Sequence, residues 1–320
     1  MTSTNENRPV GEKIAFIFPG QGSQSVGMGR SISDAYESAR NVFKEADEAL
    51  GFPISTLCFD GPEDQLALTA NTQPAILTTS IAVHRAVQDR GFRAPDFVAG
   101  HSLGEYSAMV AAGGISFRDA VKTVRLRGTF MQEAVPVGVG AMAAILGAPL
   151  ETIQNACEEA AEGQVCSAAN INSPNQIVIA GDSDAVGRAI EILKERGAKK
   201  AIPLNVSAPF HCALMMPAQL RLEEVLNSVE FSPLELPLVE NVSGKVNRDV
   251  ARAKAALIDQ VSSTVRWAQS VENMINDGVG TFIEIGPGKV LSGLVRQINR
   301  DVRCLSVSDA ESLEEVLGAL

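Results

Sequence analysis

Apolar residues along this chain come in short blocks, and the blocks alternate between two periods. Ile14-Ala15-Phe16-Ile17-Phe18 is a continuous apolar run, which reads as a buried strand, and it stops at Pro19-Gly20-Gln21-Gly22. Residues 32–49 then carry the helical period and end at Gly51. A second helix is expected over 73–90, beginning near Thr72-Gln73-Pro74 and stopped by Gly91, with Pro74 at an early position that tolerates a missing N–H. His84 lies inside it and reads as a packing or surface residue. Pro95 to Gly100 predicts a strand, and the Ala-rich stretch from Leu103 to Ala112 predicts a helix directly after it. Ser116-Phe117-Arg118-Asp119 is a variant N-terminal cap, with Asp where Glu or Gln is usual, for a helix reaching about Ala134.

Beyond a hinge at Pro136–Gly140 the periods change more quickly. Strands are expected at 141–146, 165–169, 177–180 and 201–206, with helices at 149–161 and 184–196 and a turn at Asn172-Ser173-Pro174-Asn175. That order, β-α-β-β-α-β, is the ferredoxin-like arrangement. It predicts a compact α+β unit over 137–206, inserted into a larger α/β domain formed by 10–136 and 207–320, with residues 1–9 as a flexible tail. The large domain resumes with helices at 214–228, 251–261 and 267–276. Strands are expected after Pro233 and at 281–285 and 303–307, and a helix ends the chain.

Composition narrows the classes. A formal charge of −11 disfavours non-specific nucleic-acid binding. No uncharged apolar run is long enough for a membrane helix; the nearest, residues 135–150, holds three glycines and two prolines. The polar first ten residues lack an apolar signal core, which points to the cytoplasm. Cys58, Cys157, Cys166, Cys212 and Cys304 form neither a CxxC pair nor a metal spacing, so no metal site is expected.

The candidate chemistry is concentrated at Gly100-His101-Ser102-Leu103-Gly104. A Gly-x-Ser-x-Gly turn between a strand and a helix is the spelling of a nucleophile elbow, which presents the serine hydroxyl above a sheet edge. The plainer alternative is a strand-to-helix turn with an N-capping serine. If Ser102 is a nucleophile it needs a base. There are three histidines. His101 points away across the turn and His84 sits in a helix pattern. His211 stands on a proline-containing loop at a domain return, where a base brought in by folding belongs. No acid with a comparable motif lies between Ser102 and His211, so a carbonyl is left to orient the imidazole. Gln21, between two glycines, either closes over a substrate or is solvated in a tight turn. Of Arg125 and Arg127, two apart on one helix, either one points inward or both are solvated. Gly286-Pro287-Gly288-Lys289 is no phosphate loop, because Ile283 stands where glycine is needed, and reads as a rigid turn.

Several segments together resemble the malonyl-CoA:acyl-carrier-protein transacylases. They are Phe18-Pro19-Gly20-Gln21-Gly22-Ser23-Gln24, Asn71-Thr72-Gln73-Pro74-Ala75, Gly100 to Ser107, Arg127-Gly128-x-x-Met131, His211-Cys212-Ala213-Leu214-Met215 and Gly286 to Leu291. The resemblance spans Ile14 to about Val307. It implies a hydrolase-like parallel-sheet core domain with an inserted ferredoxin-like one. It also implies Ser102 as acylated nucleophile and His211 as its base, with Gln21 and the Leu103 N–H as oxyanion donors. Arg127 would pair with the malonyl carboxylate, and the Gln260 carbonyl would orient His211. Malonyl-CoA would be the substrate, no cofactor would be bound permanently, and the phosphopantetheine would arrive on an acyl carrier protein. Phe210 resembles the malonyl-preferring pattern of related synthase domains. Because carrier and enzyme are both expected to be acidic, docking needs a local basic patch, for which Lys289 and Arg296 are candidates. A serine hydrolase such as a thioesterase, a related acyltransferase of a polyketide pathway and a non-catalytic docking domain are the alternatives.

Overall fold

The computed structural model describes residues 12–204, 206 and 208–319, so the tail expected over 1–9 and the domain return at Ser207 lie outside the described residues. Among the described residues there are ten strands: β1 (Lys13–Phe18), β2 (Phe97–Gly100), β3 (Gly140–Leu146), β4 (Cys166–Ser173), β5 (Gln176–Asp182), β6 (Lys200–Pro203), β7 (Leu238–Val239), β8 (Val246–Asn247), β9 (Val279–Ile285) and β10 (Arg303–Val307). They form two sheets, ordered β10-β9-β1-β2-β7-β8 and β4-β5-β3-β6.

In the larger sheet every pairing from β10 to β7 is parallel, and only β8 runs against its neighbour. A strand covered on both faces must be apolar throughout, and β1 shows why. Its Ile14, Phe16 and Phe18 enter one core, while Ala15 and Ile17 enter a second. The first core holds the Thr69–Asp89 and Phe117–Glu133 helices; the second holds the Trp267–Asn276 and Val290–Ile298 helices. His84 is buried, with its ring edge-on to Phe16 and Phe18.

The smaller sheet is antiparallel throughout. Period-two alternation again assigns its faces. Ala143, Ile145, Ile177 and Ile179 pack under the Leu150–Ala161 and Ser183–Glu195 helices. Met142, Ala144, Val178 and Ala180 face the core of the larger sheet. The strand order is the ferredoxin-like one, and the second face walls a cleft against the larger sheet.

Several boundaries differ from the sequence reading. The helix expected over 73–90 begins at Thr69, so Pro74 sits inside it rather than at its start. The helix expected over 32–49 is two helices, Arg30–Ala35 and Glu37–Leu50, parted at Tyr36, whose backbone is extended and whose hydroxyl donates to Glu314 at 2.7 Å. β4 continues to Ser173, which shortens the expected turn to Pro174-Asn175. The helices Ile54–Asp60 and Glu63–Leu66 and the strand β8 were not anticipated.

Candidate active site

The elbow is built by close approach. A Cβ on Gly100 would lie 1.9 Å from the Gly104 backbone, and one on Gly104 would lie 2.0 Å from the Phe18 carbonyl oxygen. No side chain fits at either position, and strand, turn and helix close on one another there. Ser102 is left with φ 51°, a left-handed conformation that costs a non-glycine residue about 1–3 kcal/mol. Asn241, just past β7, holds it there. Its Oδ1 accepts from the Ser102 N–H at 2.7 Å, and its Nδ2 donates to the Gly100 carbonyl at 2.7 Å. The hydroxyl does not cap the following helix, whose N-cap is Leu103 without a side-chain bond. It stands 2.7 Å from His211 Nε2.

His211 is also left-handed, with φ 60°, on the turn before the short helix Ala213–Met215. Its Nδ1 lies 2.8 Å from the Gln260 carbonyl oxygen. A carbonyl can only accept, so Nδ1 carries the proton and Nε2 presents a lone pair to Ser102. Burial, and then the nearby Arg127 charge, push the imidazole down to about 3. The free site therefore holds a neutral base.

Arg127 is 1% exposed. It donates to Gln73 Oε1 at 2.7 Å, to Gln260 Oε1 at 2.8 Å and to Ser102 Oγ at 3.2 Å, while its Nε has no partner. All three partners are neutral. Burial lowers the pKa of the guanidinium, with Tyr106 and Glu105 acting in the opposite direction. A buried cation in a neutral cage is a receptor for an anion. Arg125, two positions on, points elsewhere, bonding Asn71 and lying over the Phe52 ring.

Ser102, His211, Arg127 and Gln73 line a cavity of about 120 Å³ with Gln21, Leu103, Met142, Leu204 and Phe210. Gln21 donates to Thr69 Oγ1 at 3.2 Å and does not reach Ser102. Among the described residues the Leu103 N–H has no hydrogen-bond partner. A second chamber of about 230 Å³ shares Gln21, His101, Asn170 and Leu204 with the first and continues along the groove between the two sheets. His101 turns away from Ser102, its Nε2 2.8 Å from Asn172 Oδ1. Of the docking candidates, Lys289 is exposed beside Val290, which lines the second chamber. Arg296 is exposed two turns along the same helix and donates to the Cys304 carbonyl at 3.1 Å.

The structure brings Ser102, His211, Arg127, Gln21 and Leu103 to one cavity, with Gln260 buried behind it and bonded to His211 and Arg127. Sequence reasoning missed the side-chain amide of Gln260, the elbow support from Asn241, and Glu105 beneath both. Glu105 lies in the Gly100 to Ser107 segment, directly after the elbow, but had no assigned part. Among the described residues no group of three His, Cys, Asp or Glu side chains could hold a metal ion.

The acyl transferase domain model matches residues 15–319. The malonyl CoA-acyl carrier protein transacylase of Bacillus subtilis is 52% identical over 309 residues, 96% of this chain and 97% of its own length. The chain belongs to that family. The Escherichia coli K12 transacylase is 48% identical over 305 residues, covering 95% of this chain and 99% of its own. Among solved structures, the acyl carrier protein S-malonyltransferase of Vibrio cholerae superposes with a TM-score of 0.94 at 48% identity, over 95% of this chain and 100% of that one. A malonyl-transacylase solved with its type II PKS acyl-carrier protein gives 0.94 at 46% identity, over 97% and 100%. The transacylase fold, a parallel core sheet with a small antiparallel one, is the architecture described above.

Proposed function

We propose that this chain transfers a malonyl group from malonyl-CoA to the phosphopantetheine thiol of an acyl carrier protein, in fatty-acid synthesis, through a malonyl ester on Ser102. One observation carries the reading: Ser102 Oγ lies 2.7 Å from a neutral imidazole and 3.2 Å from a buried guanidinium with only neutral partners. Nucleophile, base and carboxylate receptor share one cavity.

The steps follow from the geometry. His211 Nε2 takes the hydroxyl proton as Ser102 Oγ attacks the thioester carbonyl. The Leu103 N–H and the Gln21 amide are the donors available to the tetrahedral oxyanion. CoA departs as the thiol, taking the proton from His211. The carrier's thiol then gives its proton to His211 and attacks the ester carbonyl, and Ser102 Oγ leaves with that proton from His211, which restores the free hydroxyl and the neutral imidazole. Arg127 holds the acid end in both halves, and its planar fork can bind both carboxylate oxygens. Residues 137–206 act as a subdomain that walls the acyl cavity. Among the described residues no helix is long and apolar enough to cross a membrane, in keeping with a cytoplasmic enzyme. The test is mass spectrometry of the protein after brief exposure to malonyl-CoA, with one malonyl group expected on the Ser102 peptide. Rapid hydrolysis of malonyl-CoA with no acceptor thiol present would instead identify a thioesterase.

Two further outcomes are expected. kcat/KM reports groups of the free enzyme. With His211 pushed down to about 3, acidification through the ordinary imidazole value of 6.5 should leave Ser102 acylation with its base. The acid limb of kcat/KM for malonyl-CoA should lie well below 6.5, and a limb at 6.5 would contradict a buried neutral base. Stability carries the same sign. Below 6.5 the unfolded imidazole takes up a proton that the folded one does not, so His211 weakens the fold as pH falls and leaves it unaffected above 6.5. For docking, replacing Lys289 and Arg296 together by glutamate should raise the KM for carrier protein and spare acylation by malonyl-CoA. Unchanged carrier kinetics would remove both from the docking surface.

A further inference from the structure

Beneath the nucleophile lies a carboxyl group that the mechanism does not use. Glu105 is fully buried in the first turn of the Gly104–Ala111 helix. Its Oε2 accepts from Gln260 Nε2 at 2.6 Å and from the Asn241 N–H at 3.2 Å. Among the described residues its Oε1 has no hydrogen-bond partner. Burial pushes its pKa up to about 8. Near neutral pH it is therefore largely an uncharged acid, with its proton assigned to Oε1 and Oε2 left as the acceptor.

Gln260 is the hub this acceptor touches. Its second amide N–H donates to the Ser102 carbonyl at 3.0 Å. Its Oε1 faces Arg127, and its backbone carbonyl holds His211. The amide has only one workable orientation. Turned over, it would set NH2 against the guanidinium, donor against donor, and Oε1 against the Ser102 carbonyl, acceptor against acceptor, and it would leave Glu105 Oε2 without the amide donor it has now. Without an acceptor at position 105 that preference weakens, and Arg127 loses a fixed partner.

We propose that Glu105 is a positioning residue for acyl selection. Its Oε2 fixes the Gln260 amide, and the Gln260 amide holds Arg127 in the pose that receives the acyl carboxylate. Glu105 touches neither substrate nor reacting atoms; it acts through Gln260. What it supplies is an acceptor rather than a charge, so glutamine at this position, with oxygen for oxygen and NH2 for OH, reproduces it. The inference rests on the reading of Arg127 as carboxylate receptor, and the wild-type preference for malonyl-CoA over acetyl-CoA tests that reading separately.

The experiment compares kcat and KM for the two thioesters in wild type, Glu105→Gln, Glu105→Met and Glu105→Asp. Methionine removes the acceptor at similar length; aspartate keeps a carboxyl but withdraws it from Gln260. Glu105→Met should lower the malonyl-over-acetyl ratio of kcat/KM by roughly tenfold or more, the size expected for one charge-linked hydrogen bond, mainly through the malonyl-CoA KM. Glu105→Gln should restore the ratio to within about threefold of wild type. A purely structural role would depress both substrates together and leave the ratio alone. If Glu105→Met does not fold, Glu105→Asp supplies the same comparison. An unchanged ratio in the acceptor-withdrawn variant, or a glutamine variant as impaired as methionine, overturns the proposal. A wild type without malonyl preference overturns the reading of Arg127 instead.

Discussion

Replacing Ser102 by alanine should abolish both the covalent malonyl-enzyme and transfer to carrier protein, while the protein still folds. The fold survives because the hydroxyl supports nothing but the site. The elbow is held by glycine contacts and by Asn241, which bonds the Ser102 backbone rather than its side chain. Replacing His211 by alanine leaves the nucleophile but removes its base. Acylation should slow by a factor on the order of 10²–10⁴. Intact-mass measurement after mixing with malonyl-CoA follows both variants. A covalent adduct surviving in Ser102→Ala would show that the nucleophile lies elsewhere.

The second large effect concerns Arg127. Malonyl differs from acetyl by one free carboxylate, and only that group can neutralise a buried cation caged by Gln73, Gln260 and Ser102. Arg127→Ala should cost malonyl transfer about 2–5 kcal/mol, roughly 30-fold to several-thousand-fold in kcat/KM. Transfer from acetyl-CoA should be retained or rise, because an acetyl group leaves the wild-type cation unpaired. Arg125→Ala should change the preference little, since Arg125 is engaged with Asn71 and Phe52 outside the cavity. The ratio of kcat/KM for malonyl-CoA over acetyl-CoA in the three proteins decides it. Removing Arg127 also frees two amide oxygens, so the absolute rate mixes lost binding with local loosening, whereas the ratio isolates the carboxylate. An unchanged ratio in Arg127→Ala would end its assignment as the clamp.

Where chemistry is local in the chain, the sequence was readable. The elbow needs small residues two either side of the serine, and those glycines are visible as letters. Most strands of both sheets were legible because a strand covered on two faces is apolar throughout, as β1, β3 and β5 are for most of their length. The start of the Thr69–Asp89 helix was misread because Pro74 is also what a helix beginning looks like; packing of Thr69 and Thr72 into the core carries the helix back past it. β8, two residues long, is too short for any alternation to register. Arg127 could be separated from Arg125 only through the family motif, since spacing says that the two diverge and not which turns inward. The partners of the site were invisible for another reason. Gln260 meets Arg127 across 133 positions and Glu105 across 155, and Asn241 meets Ser102 across 139. A polar letter surrounded by ordinary neighbours carries no mark of such a meeting.

The position of β1 at the middle of the large sheet has a consequence for synthesis. β1 leaves the ribosome long before one of its two neighbours, β9, whose residues 279–285 lie more than 250 positions further on. The small sheet, contained within 140–203, can close while the chain is still growing; the large one cannot. Ser102, Arg127, His211 and Gln260 all precede residue 261, so a chain ended there would carry every group named in the mechanism. It would also leave β1 with a bare apolar edge, a template for joining other chains. A premature stop between residue 261 and β9 should therefore give aggregate rather than a shortened, weakened enzyme.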